Sequence, residues 1–244
     1  MYLRNLEDKK QTVLASIEEQ GKLTEELRAQ ILAAETQVAV DDLYRPYRPK
    51  RRTRATIAKE KGLEPLANLI LLQKMTETPL EEAKNYINPE KEVSTAEDAL
   101  NGAKDILAES VSDNADFRTH IRELTMKHGQ LLSAAKDPEA ESVYEMYYEF
   151  SESLSKLAGH RILAISRGEK EKFLIVKIDA PVDRILSYLD RKLITAPSAP
   201  TAAVLHEVTE DAYNRLIAPA IEREIRSDLF EKAEDCLLYT SPSP

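Results

Sequence analysis

The chain has 244 residues, 34 Lys and Arg against 43 Asp and Glu, a formal charge of −9, 42% hydrophobic residues and a single cysteine, Cys236. That apolar content supports a core and excludes a disordered chain, and one cysteine excludes an internal disulfide framework or a Cys-rich zinc module. No apolar run nears the roughly 20 residues that span a bilayer, and the opening Met1-Tyr-Leu-Arg-Asn-Leu6 has no apolar signal core, so a mostly helical protein of the cytoplasm, with no membrane partner, is expected.

Leu3, Leu6, Val13, Leu14 and Ile17 recur at helical spacing as far as Gly21, a helix-stop residue. Thr24 is placed to cap the next helix, with Glu25 and Glu26 near its positive end and Leu27, Ile31, Ala34 and Val38 as its stripe. Together they predict a helical hairpin that continues towards Tyr44. Pro46 and Pro49 forbid regular helix in the stretch that follows and favour extended chain. Thr53 caps a short helix ending near Gly62, and Pro65 starts another with Leu66, Leu69 and Ile70 inward. Residues 53–73 thus have the outline of a helix-turn-helix, a weak signal because ordinary hairpins share it.

Thr78 with Pro79, and Thr95 with Asp98, open two further helices, and Phe117, Ile121, Leu124, His128 and Leu131 mark a third. Tyr144, Tyr147, Tyr148 and Phe150 form an aromatic cluster suited to packing. A short helix over Arg161–Arg167 is expected to stop at Gly168, and Lys172–Asp179 alternates as a strand. Ile185, Leu186, Leu189 and Leu193 predict another helix. Residues 196–203, rich in Ala and Pro, are linker-like, and Thr209–Glu234 is helical but divided at Pro219. The tail from Cys236 to Pro244 breaks the pattern and is expected to be artefactual. The expectation is a mainly α chain of packed helical hairpins, with a helix-turn-helix-like unit and one small β element near 172–179. Residues 1–195 form one helical region, and 204–235 a helical segment beyond the linker.

The charge is unevenly placed. Between Arg45 and Lys61, eight cations meet one acid, Glu60, giving +7 locally and leaving −16 on the remainder. Such a cluster can release counterions from a polyanion, which makes Arg48, Lys50, Arg51, Arg52, Arg54 and Lys59 candidate contacts to RNA or DNA. Tyr44 and Tyr47 interleave with them and either stack on unpaired bases or pack inward. Equally, the arginines can meet acidic helices of the protein itself or an acidic partner. Pro46-Tyr-Arg-Pro49 has a P-x-x-P spacing, better explained as a stiff connector. Asp116 and His120 sit one helical turn apart without a third metal ligand, and His160 near Ser151, Ser153 and Ser155 lacks an orienting acid. No phosphate-loop or dinucleotide motif occurs, so no enzyme, cofactor or metal site is expected.

The run Asp42-Leu-Tyr-Arg-Pro-Tyr-Arg-Pro-Lys-Arg-Arg-Thr-Arg-Ala-Thr-Ile-Ala-Lys-Glu-Lys-Gly-Leu-Glu-Pro-Leu-Ala67 closely resembles the N-terminal region of the bacterial Tex family of RNA-binding transcription accessory proteins. Similarity continues through Asn88-Pro-Glu-Lys91, the stretch 99–109, His160–Glu169 and Ala212–Pro219. Arg45 stands where the family has an apolar residue, and Ala158-Gly159 where it has Pro-Ser. The resemblance implies an RNA-binding, transcription-associated helical scaffold, with the transcription machinery as a partner. It also implies an RNase H-like domain, helix-hairpin-helix elements and an OB-fold beyond this fragment, and further residues upstream of Met1. The competing reading is an interaction module whose basic segment docks on other domains of the parent protein or on an acidic partner.

Overall fold

The computed structural model describes residues 2–49 and 51–240, with side chains from Leu3 to Asp235 apart from position 50. The chain forms α1 (Tyr2–Glu19), α2 (Glu25–Ala33), α3 (Gln37–Tyr44), α4 (Arg54–Glu60), α5 (Glu64–Leu72), α6 (Pro79–Ala83), α7 (Ala96–Asp113) and α8 (Ala115–His128). Then come β1 (Gln130–Ala135), β2 (Glu149–Ser153), α9 (Gly159–Lys170), β3 (Leu174–Asp179), α10 (Val182–Leu193), α11 (Ala202–Asp211), a π-helical turn (Ala212–Ile217) and α12 (Ala218–Thr240). The protein is mainly α with one small β element, as its periodicity predicts.

The chain divides into two compact units. One joins Met1–Thr119 to Leu186–Ile217; the other joins His120–Ile185 to Ala218–Pro244. In the first, Leu6, Val13, Leu14 and Ile17 of α1 pack with Leu27, Ile31 and Val40 of α2 and α3. Side-chain caps fix where these helices begin. Thr24 accepts from the Leu27 N–H, Thr36 from Ala39 and Thr78 from Glu81, each typically stabilising by about 1 kcal/mol. Thr53 with Thr56, and Thr95 with Asp98, form reciprocal capping boxes. Between α4 and α5 the chain turns at Gly62, whose φ of 81° suits a residue without Cβ. The Gly62 N–H donates to Lys59 O and the Leu63 N–H to Ala58 O, a paired closure that turns the chain directly into α5.

The Ala/Pro/Ser stretch is tied down by one side chain. Gln73, left-handed at φ 54°, donates from Nε2 to Leu193 O at 2.8 Å. Its Oε1 accepts the N–H groups of Thr195 and Ala196 at 2.9 and 3.0 Å. Turns from Ala199 to Ala196 and from Ala202 to Ala199 then lead into α11.

In the second unit β3 has two antiparallel companions in the order β2-β1-β3, with Leu132 opposite Ser151 and Ser133 opposite Val176. Apart from α2 ending at Ala33 short of Val38, and a 3-10 turn at Arg45–Tyr47 where extended chain is expected, three details differ from the sequence expectations. The helical stripe through Phe117 does not reach Leu131: α8 ends at His128, and Leu131 is buried in β1. The aromatic stretch ends in β2, with Tyr147 edge-on to Phe150 at 5.4 Å. Helix α9 runs through Gly168 to Lys170, and Gly168 serves close packing instead of ending it: a Cβ there would lie 2.6 Å from Leu174 Cδ1. The π turn Ala212–Ile217 ends two residues before Pro219, which lacks the N–H an unbroken α-helix would need. Helix α12 continues to Thr240, and the last four positions of the expected artefactual tail lie outside the described residues.

Candidate nucleic-acid interface

The basic segment begins where α3 ends. Arg45–Tyr47 forms a single 3-10 turn with Pro46 inside it, and Arg48 turns the chain into extended backbone at ψ 131°. The Thr53 capping box then starts α4, so Arg54 is its first residue. Proline at two of these positions and threonine at the cap thus set the chain's path across the surface.

Each candidate has a distinct environment. Arg48 is 57% exposed, with Nη2 3.3 Å from Asp41 Oδ1 and its guanidinium 5.7 Å from the Tyr44 ring centroid. Lys50 lies outside the described residues. Arg51 is exposed and makes no hydrogen bond or ion pair among the described residues. Arg52 reaches Glu60 at 2.9 Å, and Lys59 lies 3.7 Å from Glu64, all four side chains largely exposed. Arg54 is exposed and makes no hydrogen bond among the described residues, but its charge acts on Asp105 and Asp211. Lys61 donates to the Glu92 carbonyl at 3.1 Å. Part of the local positive charge is therefore met by carboxylates of the same unit.

The tyrosines pack inward. Tyr44 and Tyr47 lie against the α1–α3 core, and the Tyr44 hydroxyl shares a 2.9 Å hydrogen bond with Ser16. Gln20 donates to the Tyr47 carbonyl at 2.9 Å. Neither ring is a free stacking platform.

Two ionic features escape sequence reasoning. Asp42, inside the basic motif, is buried and accepts from Arg118 Nε at 2.8 Å, the two side chains being 1% and 0% exposed. Seventy-six positions separate the partners, so no local spacing signals the pair. The second is built on Arg215 of the π turn, which donates to Asp211 at 2.6 Å and to Asp105 at 3.2 Å. Hydrogen bonding from Arg215 holds the Asp211 carboxyl below its usual value. Burial pushes the Asp105 carboxyl up, against the opposing pull of Arg215 and Arg54. The Arg215 guanidinium is raised, chiefly by its bond to Asp211.

The histidines are scattered over the chain. His206 Nδ1 lies 2.7 Å from Asp190 and its Nε2 lies 3.5 Å from Glu210, while the Thr209 hydroxyl donates to the same Asp190 at 2.6 Å. Burial and the neighbouring cations Arg184 and Lys127 lower the His128 pKa. Among the described residues, no three His, Cys, Asp or Glu side chains gather as metal ligands, and no helix is long and apolar enough to cross a membrane.

These features define a mainly helical chain with a dense, exposed cationic segment on its surface. The chain belongs to the Tex family: the profile described as Tex central region-like matches residues 74–238. Among its relatives, an uncharacterized protein, YdcI, from Bacillus subtilis is 48% identical over 241 residues, covering 98% of this chain and 34% of the relative. The transcriptional accessory protein Tex of Neisseria gonorrhoeae is 37% identical over 195 residues, covering 77% of this chain and 25% of its own length. The human S1 RNA-binding domain-containing protein 1 is 30% identical over 270 residues, covering 99% of this chain and 27% of the relative. The chain thus spans only about a quarter to a third of these proteins.

Proposed function

We propose that this chain binds nucleic acid, with RNA as the ligand, through residues 45–61, as a non-catalytic helical scaffold of a cytoplasmic transcription accessory protein. The observation that carries the reading is the exposure of Arg51, which makes no ion pair among the described residues, and of Arg54 beside it, on a path fixed by Pro46, Pro49 and the Thr53 cap. Arg52 and Lys59 flank them in surface pairs with Glu60 and Glu64. Such pairs contribute only about 0.2–1 kcal/mol, so a phosphate can replace the carboxylate at small cost. The names of the gonococcal and human relatives support a transcription and RNA connection.

The test is the salt dependence of binding to a labelled single-stranded RNA. Affinity should fall steeply with salt, with a log–log slope near −0.7 per neutralised phosphate. Arg51→Ala/Arg52→Ala should flatten that slope by roughly one to one and a half. An unchanged affinity at every salt concentration overturns the phosphate role.

A second reading has its own support. Arg48–Asp41, Arg52–Glu60 and Lys61–Glu92 already join cations of the segment to carboxylates, as docking on an acidic protein surface would. In that case a Glu-rich peptide binds the chain while RNA does not.

A further inference from the structure

Beside the basic segment, α4 and α7 border a cleft of about 280 Å3. Arg54, Ile57, Ala58 and Lys61 line it from α4 and its C-cap. Asp98, Asn101, Gly102 and Asp105 line it from α7. Both sets follow the i, i+3, i+4, i+7 spacing of one helix face. The cleft is slightly smaller than common small-molecule sites, roughly 300–1,000 Å3, and has room for one ring system rather than an extended ligand.

Its chemistry is divided. Ile57 is the partly exposed apolar residue a flat ring could meet, and Ala58, Leu63 and Val93, each 3% exposed or less, complete the apolar lining. The α7 side supplies acceptors. Asp98 gives Oδ2 to the Thr95 N–H and Asp105 gives Oδ1 to Arg215, leaving the second oxygen of each carboxylate without a hydrogen-bond partner among the described residues. Asn101 is exposed beside them and makes no hydrogen bond among the described residues. Arg54 and Lys61 face Glu92, Asp98 and Asp105 in the lining, and Arg215 behind Asp105 is itself held by Asp211. The cleft thus carries one more acceptor carboxylate than cations and suits a ligand edge of N–H donors. Arg54 and Lys61 also oppose entry of a cationic side chain.

A neutral ring with an apolar face and adjacent N–H donors on one edge is a guanine, whose N2 amino group also distinguishes it among the bases. We propose that the cleft holds one unpaired guanine of the bound strand, its donor edge towards Asp98, Asn101 and Asp105 and its phosphate side towards Arg54. Apolar walls and edge hydrogen bonds are how proteins hold a base removed from its stack. This rests on the nucleic-acid reading above.

The test measures affinity of the full chain for labelled oligoadenylate, alone or with one central guanosine or inosine, inosine lacking the N2 amino group. The guanosine strand should bind about 5- to 100-fold more tightly than the inosine strand, the discrimination of a good bidentate contact. Free guanosine monophosphate should compete that advantage away. Asn101→Leu, which narrows the mouth from an exposed position, should remove the preference and leave oligoadenylate binding intact; Asp105→Asn should reduce the preference. Equal binding of all three strands overturns the cleft assignment while leaving the phosphate-binding role standing. Displacement by an Arg-rich peptide, with no effect of guanosine monophosphate, also overturns it and assigns the cleft to a protein partner. Failure of every strand to bind removes the proposed function and the cleft assignment together.

Discussion

Asp41 and Asp42 are consecutive aspartates with opposite roles. Asp41 is partly exposed and shared between Lys9 at 2.5 Å and Arg48 at 3.3 Å. Asp42 is buried and pairs with Arg118 inside the unit. On an α-helix, neighbouring side chains point about 100° apart, so one faces solvent and the other faces the core. The lesson is that charge in this motif cannot be read as one quantity. The buried pair holds the scaffold, whereas the exposed pairs can exchange their carboxylates for other anions.

The strongest way to break that distinction is Arg118→Met, which removes the guanidinium that donates to the buried Asp42. It should lower stability by about 3–5 kcal/mol in urea unfolding, and adding Asp42→Leu should recover most of the loss. If the double variant stays as unstable as the single one, the buried Asp42 carboxylate is not the cause. Asp211 offers an intermediate depth. Its carboxyl is held below the usual 3.8 by Arg215, so its contribution to stability is present above that value and is lost as pH falls through the lowered one. Asp105, pushed up by burial, works oppositely: its contribution is present below 3.8 and lost as pH rises through the raised value. Arg215→Ala should therefore cost up to about 1 kcal/mol at neutral pH and less in acid, measured by urea unfolding at both. Equal costs would remove the carboxylates from the explanation. The smallest effect belongs to Arg48→Ala, under about 0.5 kcal/mol in the same assay. A loss as large as that of Arg118→Met would erase the distinction.

Local chemistry made much of the fold legible. Thr24, Thr53, Thr78 and Thr95 start helices as their spacing predicts, and Gly21 and Gly62 take the positive φ values that helix ends use. β3 announces itself through alternation, with Leu174 and Val176 buried and Ile175 and Lys177 exposed. Its companions do not. Gln130-Leu-Leu-Ser-Ala-Ala135 and Glu149-Phe-Ser-Glu-Ser153 contain no β-branched residue and become strands through pairing. At the surface, charge density pointed to Arg51 and Arg54, and both are exposed. The roles of Tyr44, Asp42 and Arg215 depend on partners 28, 76 and 110 positions away, distances that no local pattern encodes.

The clamp formed by Gln73 has a consequence for the order of assembly. Its partners at Leu193 and Thr195 are separated from it by 120 and 122 positions, and the entire His120–Ile185 segment of the other unit is synthesised between them. The pair Asp42–Arg118 can close once the first 119 residues have left the ribosome, but the clamp must wait for the later segment. Chains emerge at about 5–20 residues per second, so α5 spends several seconds with its C-terminal partner still unmade. During that interval the nascent unit exposes apolar surface that the finished one covers.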